Sequence, residues 1–366
     1  MRVRGRSSDT IHSLTGIRGV AAFWVALFHA REGILGGLTL PGVIERLVGE
    51  GWIAVDLFFV LSGFIMCHVH QTDFGKLAAQ PVSQFLKLRL ARIYPAHLVA
   101  ALCWLPVIAF AIWHSPGSLS AGIASNFNLR TFLFALVMMN GWGFPHSQGW
   151  NLPSWSVGSE WFAYLCFPFI AWLMVRVRAW SYALIAPSIV AVCTALSVIV
   201  NGGKQYMLPE SFSLIRVVSE FAVGCCAYGV FSRIREGARY AWVAPVALLS
   251  SLVLAALPHH RLLDALYILL FAVLIVGLTD PRTYPSRILA TPVFTYLGRI
   301  SYSLYLTHGL VIVFFRQLLL KIHEPNGAIW ITLIAAYLVS ITVAGGLLHR
   351  MVEEPCRRLI RDKWIR

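Results

Sequence analysis

Ten apolar segments, each near the roughly 17–25 residues needed to cross a bilayer's hydrocarbon core, constrain this chain more than any other feature. They lie near 12–30, 52–70, 94–113, 154–175, 180–200, 212–231, 241–257, 263–279, 292–318 and 327–349. Inside hydrocarbon, backbone groups must be satisfied within the segment itself, so the expected fold is an all-α polytopic membrane protein. Composition agrees. Hydrophobic residues make up 58% and charged residues 13% of the 366, whereas a soluble domain carries about 25% charge to face water. The seven cysteines show no CxxC spacing, which argues against a disulfide scaffold and a metal site. The first apolar run carries Arg18 and lacks a small-residue cleavage site, so it reads as a retained helix.

An eleventh apolar stretch, near 128–143, is short and runs into a Gly/Trp/Pro-rich loop. Loop charge tests whether it crosses. Arg2, Arg4 and Arg6, the basic loop after the second span, and the runs at 176–178, 233–239, 282–287 and 350–366 alternate with basic-poor loops. Counting 128–143 as a crossing would put every later arginine cluster outside. The positive-inside rule therefore makes it re-entrant or interfacial, leaving ten spans with both termini cytoplasmic. The same placement explains the formal charge of +14 without a nucleic-acid partner.

Ionisable groups within spans are costly, so each is a functional candidate. Arg18 lies near the inner end of span 1 and His29 near its outer end. Eleven steps of about 100° return His29 to within about 20° of Arg18, roughly 16 Å along the axis. Asp56 starts span 2 at the outer side and is expected to meet His29; Glu160 also enters from outside. Arg299 sits toward the inner end of its span, with His308 further out. Arginines thus line the inner half, histidines and carboxylates the outer half. A histidine beside a carboxylate suits general-base chemistry, and a basic inner layer suits a phosphate-bearing ligand. Asp56 serves equally as an N-terminal helix charge. Arg216 and Glu220, four apart in one span, read as a structural pair. Trp142, Trp150, Trp155 and Trp161 read as an aromatic belt or, at Trp155, as a sugar-stacking surface.

Ordered blocks along the chain carry a resemblance. Leu14-Thr15-Gly16-Ile17-Arg18-Gly19 leads to His29 as Arg-x10-His, followed by Gly51 to Phe64 and by Phe85 to Pro95 with its Arg89-x-x-Arg92 pair. Pro153 to Phe162, Tyr296 to His308 and Glu353-Glu354-Pro355 complete the set. The chain resembles the bacterial acyltransferase-3 family of membrane O-acyltransferases. That resemblance implies transfer of an acyl group, usually acetyl, from cytoplasmic acyl-CoA to a hydroxyl of a cell-surface glycan or lipid-linked sugar. It implies His29 as catalytic base; their place within the spans makes Asp56 and Glu160 further catalytic candidates. Arg18, Arg89 and Arg92 would hold the CoA side, and Arg299, His308 and Trp155 are further substrate-binding candidates. Acyl-CoA enters as co-substrate, with no tightly bound cofactor and no metal. The expected setting is the bacterial inner membrane, as one acyltransferase domain over 1–366 without a fused extracytoplasmic domain. A multispan transporter or flippase of an anionic or sugar-like solute is the competing class.

Overall fold

The computed structural model describes residues 11–35, 40–114, 126–144, 149–178, 181–201, 213–234, 240–258, 261–322 and 327–364. Arg2, Arg4, Arg6, Arg235 and Arg239 lie outside these residues. Among the described residues every regular element is helical. Eight helices or helix runs are long and apolar enough to span, and two more, Val243–Ala256 and Leu263–Leu278, are apolar but shorter. Together they account for all ten apolar segments. The protein is a polytopic membrane protein.

In chain order the helices are α1 (His12–Ala30), α2 (Gly42–Gly49), α3 (Ala54–His70), α4 (Ala79–Leu102) and α5 (Trp104–His114). Next come α6 (Leu129–Leu136), α7 (Trp155–Met174), α8 (Ser181–Asn201), α9 (Ser213–Phe231), α10 (Val243–Ala256) and α11 (Arg261–Leu278). The chain finishes with α12 (Tyr284–Leu289), α13 (Pro292–Leu319), α14 (Gly327–Leu348) and α15 (Glu354–Trp364). The helix α6 is what the 128–143 stretch becomes. Its eight residues reach about 12 Å, well short of a hydrocarbon core of about 30 Å. A reciprocal capping box between Asn128 and Thr131 starts it. Met138, at φ 54°, ends it, and Trp150 (φ 46°) and Asn151 (φ 85°) turn the chain into α7. Each such left-handed non-glycine residue costs on the order of 1–3 kcal/mol, so it must be held from outside. Asn151 donates to the Leu306 carbonyl at 3.0 Å, and the Trp150 indole donates to the Asn128 carbonyl at 3.0 Å.

Two helix pairs form the centre, α1 with α13 and α3 with α9. Thr15 lies against Gly298 and His29 against His308, so α1 and α13 run in the same direction. Both pairs approach so closely that backbones touch. A Cβ on Gly298 would overlap the Thr15 carbonyl, and one on Gly63 would overlap the Phe221 carbonyl of α9. Small residues allow such approach, and packing of this kind replaces the hydrophobic drive that lipid cannot supply. Gly63→Ala should therefore push α3 off α9, at a cost of about 1–3 kcal/mol. Thermal unfolding of the detergent-solubilised protein should show a lower midpoint; an unchanged midpoint would contradict the backbone contact. Outer faces remain apolar and exposed, as at Phe110, Trp113, Leu184 and Ile199.

Candidate active site

Five helices, α1, α3, α4, α7 and α13, converge on a cavity of about 200 Å³. Its polar lining is Arg18 from α1, Ser62 from α3, Arg89 and Arg92 from α4, Ser156, Glu160 and Tyr164 from α7, and Ser301, Tyr302 and Tyr305 from α13. Val55, Phe58, Phe59, Ile65 and Met66 of α3 form much of the apolar wall. Three guanidinium groups therefore meet in one enclosed space. Spacing explains how: Arg89 and Arg92, three apart on α4, share a face. The Arg89 guanidinium carbon also lies 5.7 Å from the Phe85 ring centre, and its Nε is buried without a hydrogen-bond partner.

Glu160 belongs to a polar cluster in the same lining. Its Oε1 accepts from Ser62 Oγ at 2.9 Å and from the Tyr164 hydroxyl at 2.5 Å, and Ser62 Oγ and the Tyr164 hydroxyl are 3.1 Å apart. Beyond the cavity, at its Tyr305 side, sits a pair of imidazoles. His308 Nε2 lies 3.2 Å from His29 Nδ1. His29 Nδ1 is 3.0 Å from the Val25 carbonyl, and His308 Nδ1 is 2.5 Å from the Tyr305 carbonyl. The Tyr305 and His308 rings are 5.5 Å apart, which joins the pair to the cavity wall. His308 is fully buried, whereas His29 is half-buried.

Several expectations from sequence need correction. Asp56 has the depth of His29 but not its direction. Its carboxylate accepts from Arg216, which also donates to Glu220 Oε1 at 3.0 Å, so the expected Arg216–Glu220 pair is a buried cluster of three. Asp56 stands about a third of a turn round α3 from the residues lining the cavity and faces α9. Arg299 is exposed on a separate groove with Tyr296, His349, Arg350 and Arg358. Nine steps of about 100° turn it half a circle from His308, so the two could not share a cavity. His308 does not itself line the cavity but stands behind Tyr305 against His29, and Trp155 packs against Phe59, with ring centres 6.4 Å apart. Arg18, Arg89 and Arg92 line the cavity together with Glu160, which the depth argument sets apart with the outer carboxylates.

Sequence reasoning missed Ser62, Tyr164, Tyr302 and Tyr305. The signal was present as hydroxyl residues at helical spacing from charged ones: Tyr164 is four after Glu160, and Tyr305 three before His308.

Comparison with known proteins adds a second line of evidence. A family model described as an acyltransferase domain matches residues 11–350. The chain is 29% identical to acyltransferase MdmB of Streptomyces mycarofaciens, over 95% of this chain and 92% of that protein. It is 24% identical to peptidoglycan O-acetyltransferase OatA of Listeria monocytogenes, over 96% of this chain but 56% of that protein's length. A shorter similarity, 37% identity covering 24% of this chain and 40% of the relative, is to protein 2 in the picA locus of Rhizobium radiobacter. No solved structure matches.

Proposed function

Because the chain belongs to the acyltransferase family whose model covers residues 11–350, and is thus a membrane-bound acyltransferase, we propose that its substrates are cytoplasmic acyl-CoA, acetyl-CoA first, and a hydroxyl of a cell-surface glycan or lipid-linked sugar. The observation that carries this reading is the enclosed cavity with Arg18, Arg89 and Arg92, bordered through Tyr305 by the His29–His308 pair. An acyl-CoA has matching chemistry at both ends: phosphates for guanidinium groups and a thioester for a base-activated hydroxyl. A volume of about 200 Å³ is below the roughly 300–1,000 Å³ of pockets that enclose a drug-sized ligand. It suits the acyl–pantetheine tip, with the nucleotide end outside near Arg89 and Arg92. Acetyl as the group and oxygen as the acceptor follow the name of the Listeria relative.

In this reading His29 removes the proton of the acceptor hydroxyl as its oxygen attacks the thioester carbonyl. The carbon–sulfur bond then breaks, and the imidazolium returns the proton to the leaving thiolate. No net proton is produced. Glu160, Ser62 and Tyr164 form the cavity's polar wall and orient the acyl end.

The test is transfer of acetyl label from acetyl-CoA, supplied to the exposed cytoplasmic face of inverted vesicles, into envelope glycan. Vesicles carrying this chain should incorporate label and vesicles lacking it should not; equal label in both would end the proposal. Arg89→Ala with Arg92→Ala should raise the KM for acetyl-CoA at least tenfold, since each charge-assisted contact is worth about 1.5–3 kcal/mol. An unchanged KM would remove this pair from the donor site.

A further inference from the structure

We infer that His308 is the positioning partner of His29, a neutral imidazole where base-assisted acyl transfer often uses a carboxylate. The inference rests on the acyl-transfer reading above and assigns the hydrogens within it. Carbonyl oxygens only accept. The Tyr305 carbonyl 2.5 Å from His308 Nδ1 therefore places a hydrogen on that nitrogen, and the Val25 carbonyl 3.0 Å from His29 Nδ1 does the same there. With Nδ1 protonated, neutral His308 carries its lone pair on Nε2, which lies 3.2 Å from His29 Nδ1. The single Nδ1–H of His29 is thus shared between the Val25 carbonyl and His308 Nε2 as a three-centre hydrogen bond. Hydrogen-bond partners, not observed hydrogens, fix both tautomers. In neutral His29 the lone pair then resides on Nε2, the nitrogen that must take the hydroxyl proton.

This arrangement favours the charged state formed during transfer. When His29 Nε2 accepts the proton, its Nδ1–H becomes a cationic donor to His308 Nε2, and charge-assisted bonds are about twice as strong as neutral ones. His308 neither gains nor loses a proton in the cycle. A carboxylate in its place would be a buried anion without a guanidinium, and leaving such a charge unpaired is costly. The fold does spend a carboxylate at the depth of His29, but gives Asp56 its own arginine on the far side of α3. Full burial of His308 also fits a residue that works through His29 and not by touching substrate.

Two substitutions separate positioning from packing. His308→Leu keeps bulk and removes the acceptor; His308→Gln restores an acceptor oxygen near the position of Nε2. In the vesicle assay with acetyl-labelled acetyl-CoA, His308→Leu should lower kcat on the order of 100-fold with KM for acetyl-CoA within about twofold. His308→Gln should recover at least about tenfold of that loss. Both should match wild type in membrane abundance and thermal midpoint. Wild-type kcat in His308→Leu, or equal loss in Leu and Gln variants of equal stability, would overturn the inference. So would a loss that follows abundance alone. His29→Ala run alongside keeps the failures distinct: transfer at the wild-type rate there removes the acyl-transfer role of His29 itself.

Discussion

His29→Ala should lower acyl transfer by on the order of 10²–10⁴-fold, the range a positioned general base contributes, while the protein remains folded. The second half of that expectation comes from packing. Helix α1 is held by buried Leu14, Ile17, Ala21, Ala22, Val25 and Ala26 and by backbone contact with α13. His29 is half-buried near the helix end, and its Nδ1 meets one carbonyl and one imidazole. Losing the ring leaves His308 Nε2 without that donor, a cost of about 1–3 kcal/mol, below what usually unfolds a protein of this size. The KM for acetyl-CoA should stay near wild type because Arg18, Arg89 and Arg92 are untouched. Residual transfer within tenfold of wild type, at equal protein abundance, would remove His29 as the base. Loss of the protein from the membrane would assign it a structural role instead.

Arg216→Ala should act in the opposite way, through folding and not turnover. Arg216, Asp56 and Glu220 are almost completely buried between α3 and α9, with Glu220 Oε2 already lacking a partner. The Trp52 ring lies 5.6 Å from the guanidinium carbon. Removing the one cation leaves two acids facing each other in a membrane interior, and breaking a buried ion pair from one side costs about 3–5 kcal/mol. Folded protein should largely disappear from detergent extracts. Replacing all three residues with Leu should restore it, because a well-packed apolar core is often as stable as a buried ion cluster. An Arg216→Ala protein of normal yield and thermal midpoint would show that the cluster is not needed for the fold.

Hydropathy and loop charge made the helices readable, and helical spacing put Arg89 and Arg92 on one face; that they share a cavity with Arg18 and Glu160 came only from the packing of the helices. What they could not give was rotation about each helix axis. In a soluble helix, the polar face marks the outside. Here lipid-facing and partner-facing surfaces are both apolar, so Asp56 and His29 matched in depth while facing α9 and α13. The spacing argument that grouped Arg18 with His29 would have separated Arg299 from His308. Left-handed turns at Met138 and Trp150 leave no mark in the residue types; of the three only Asn151 is of a type that favours that region. His308 was readable as a functional residue, but its partner lies 279 residues away.

That last separation has a consequence for how the protein is made. Helix α1 leaves the ribosome well before α13, its principal neighbour. At about 5–20 residues per second, the 279 residues between the paired histidines correspond to roughly 15–60 s of synthesis. Throughout that interval Arg18 and His29 belong to an inserted helix whose permanent neighbour does not yet exist. The cavity therefore lacks its Ser301, Tyr302 and Tyr305 wall until α13 is made.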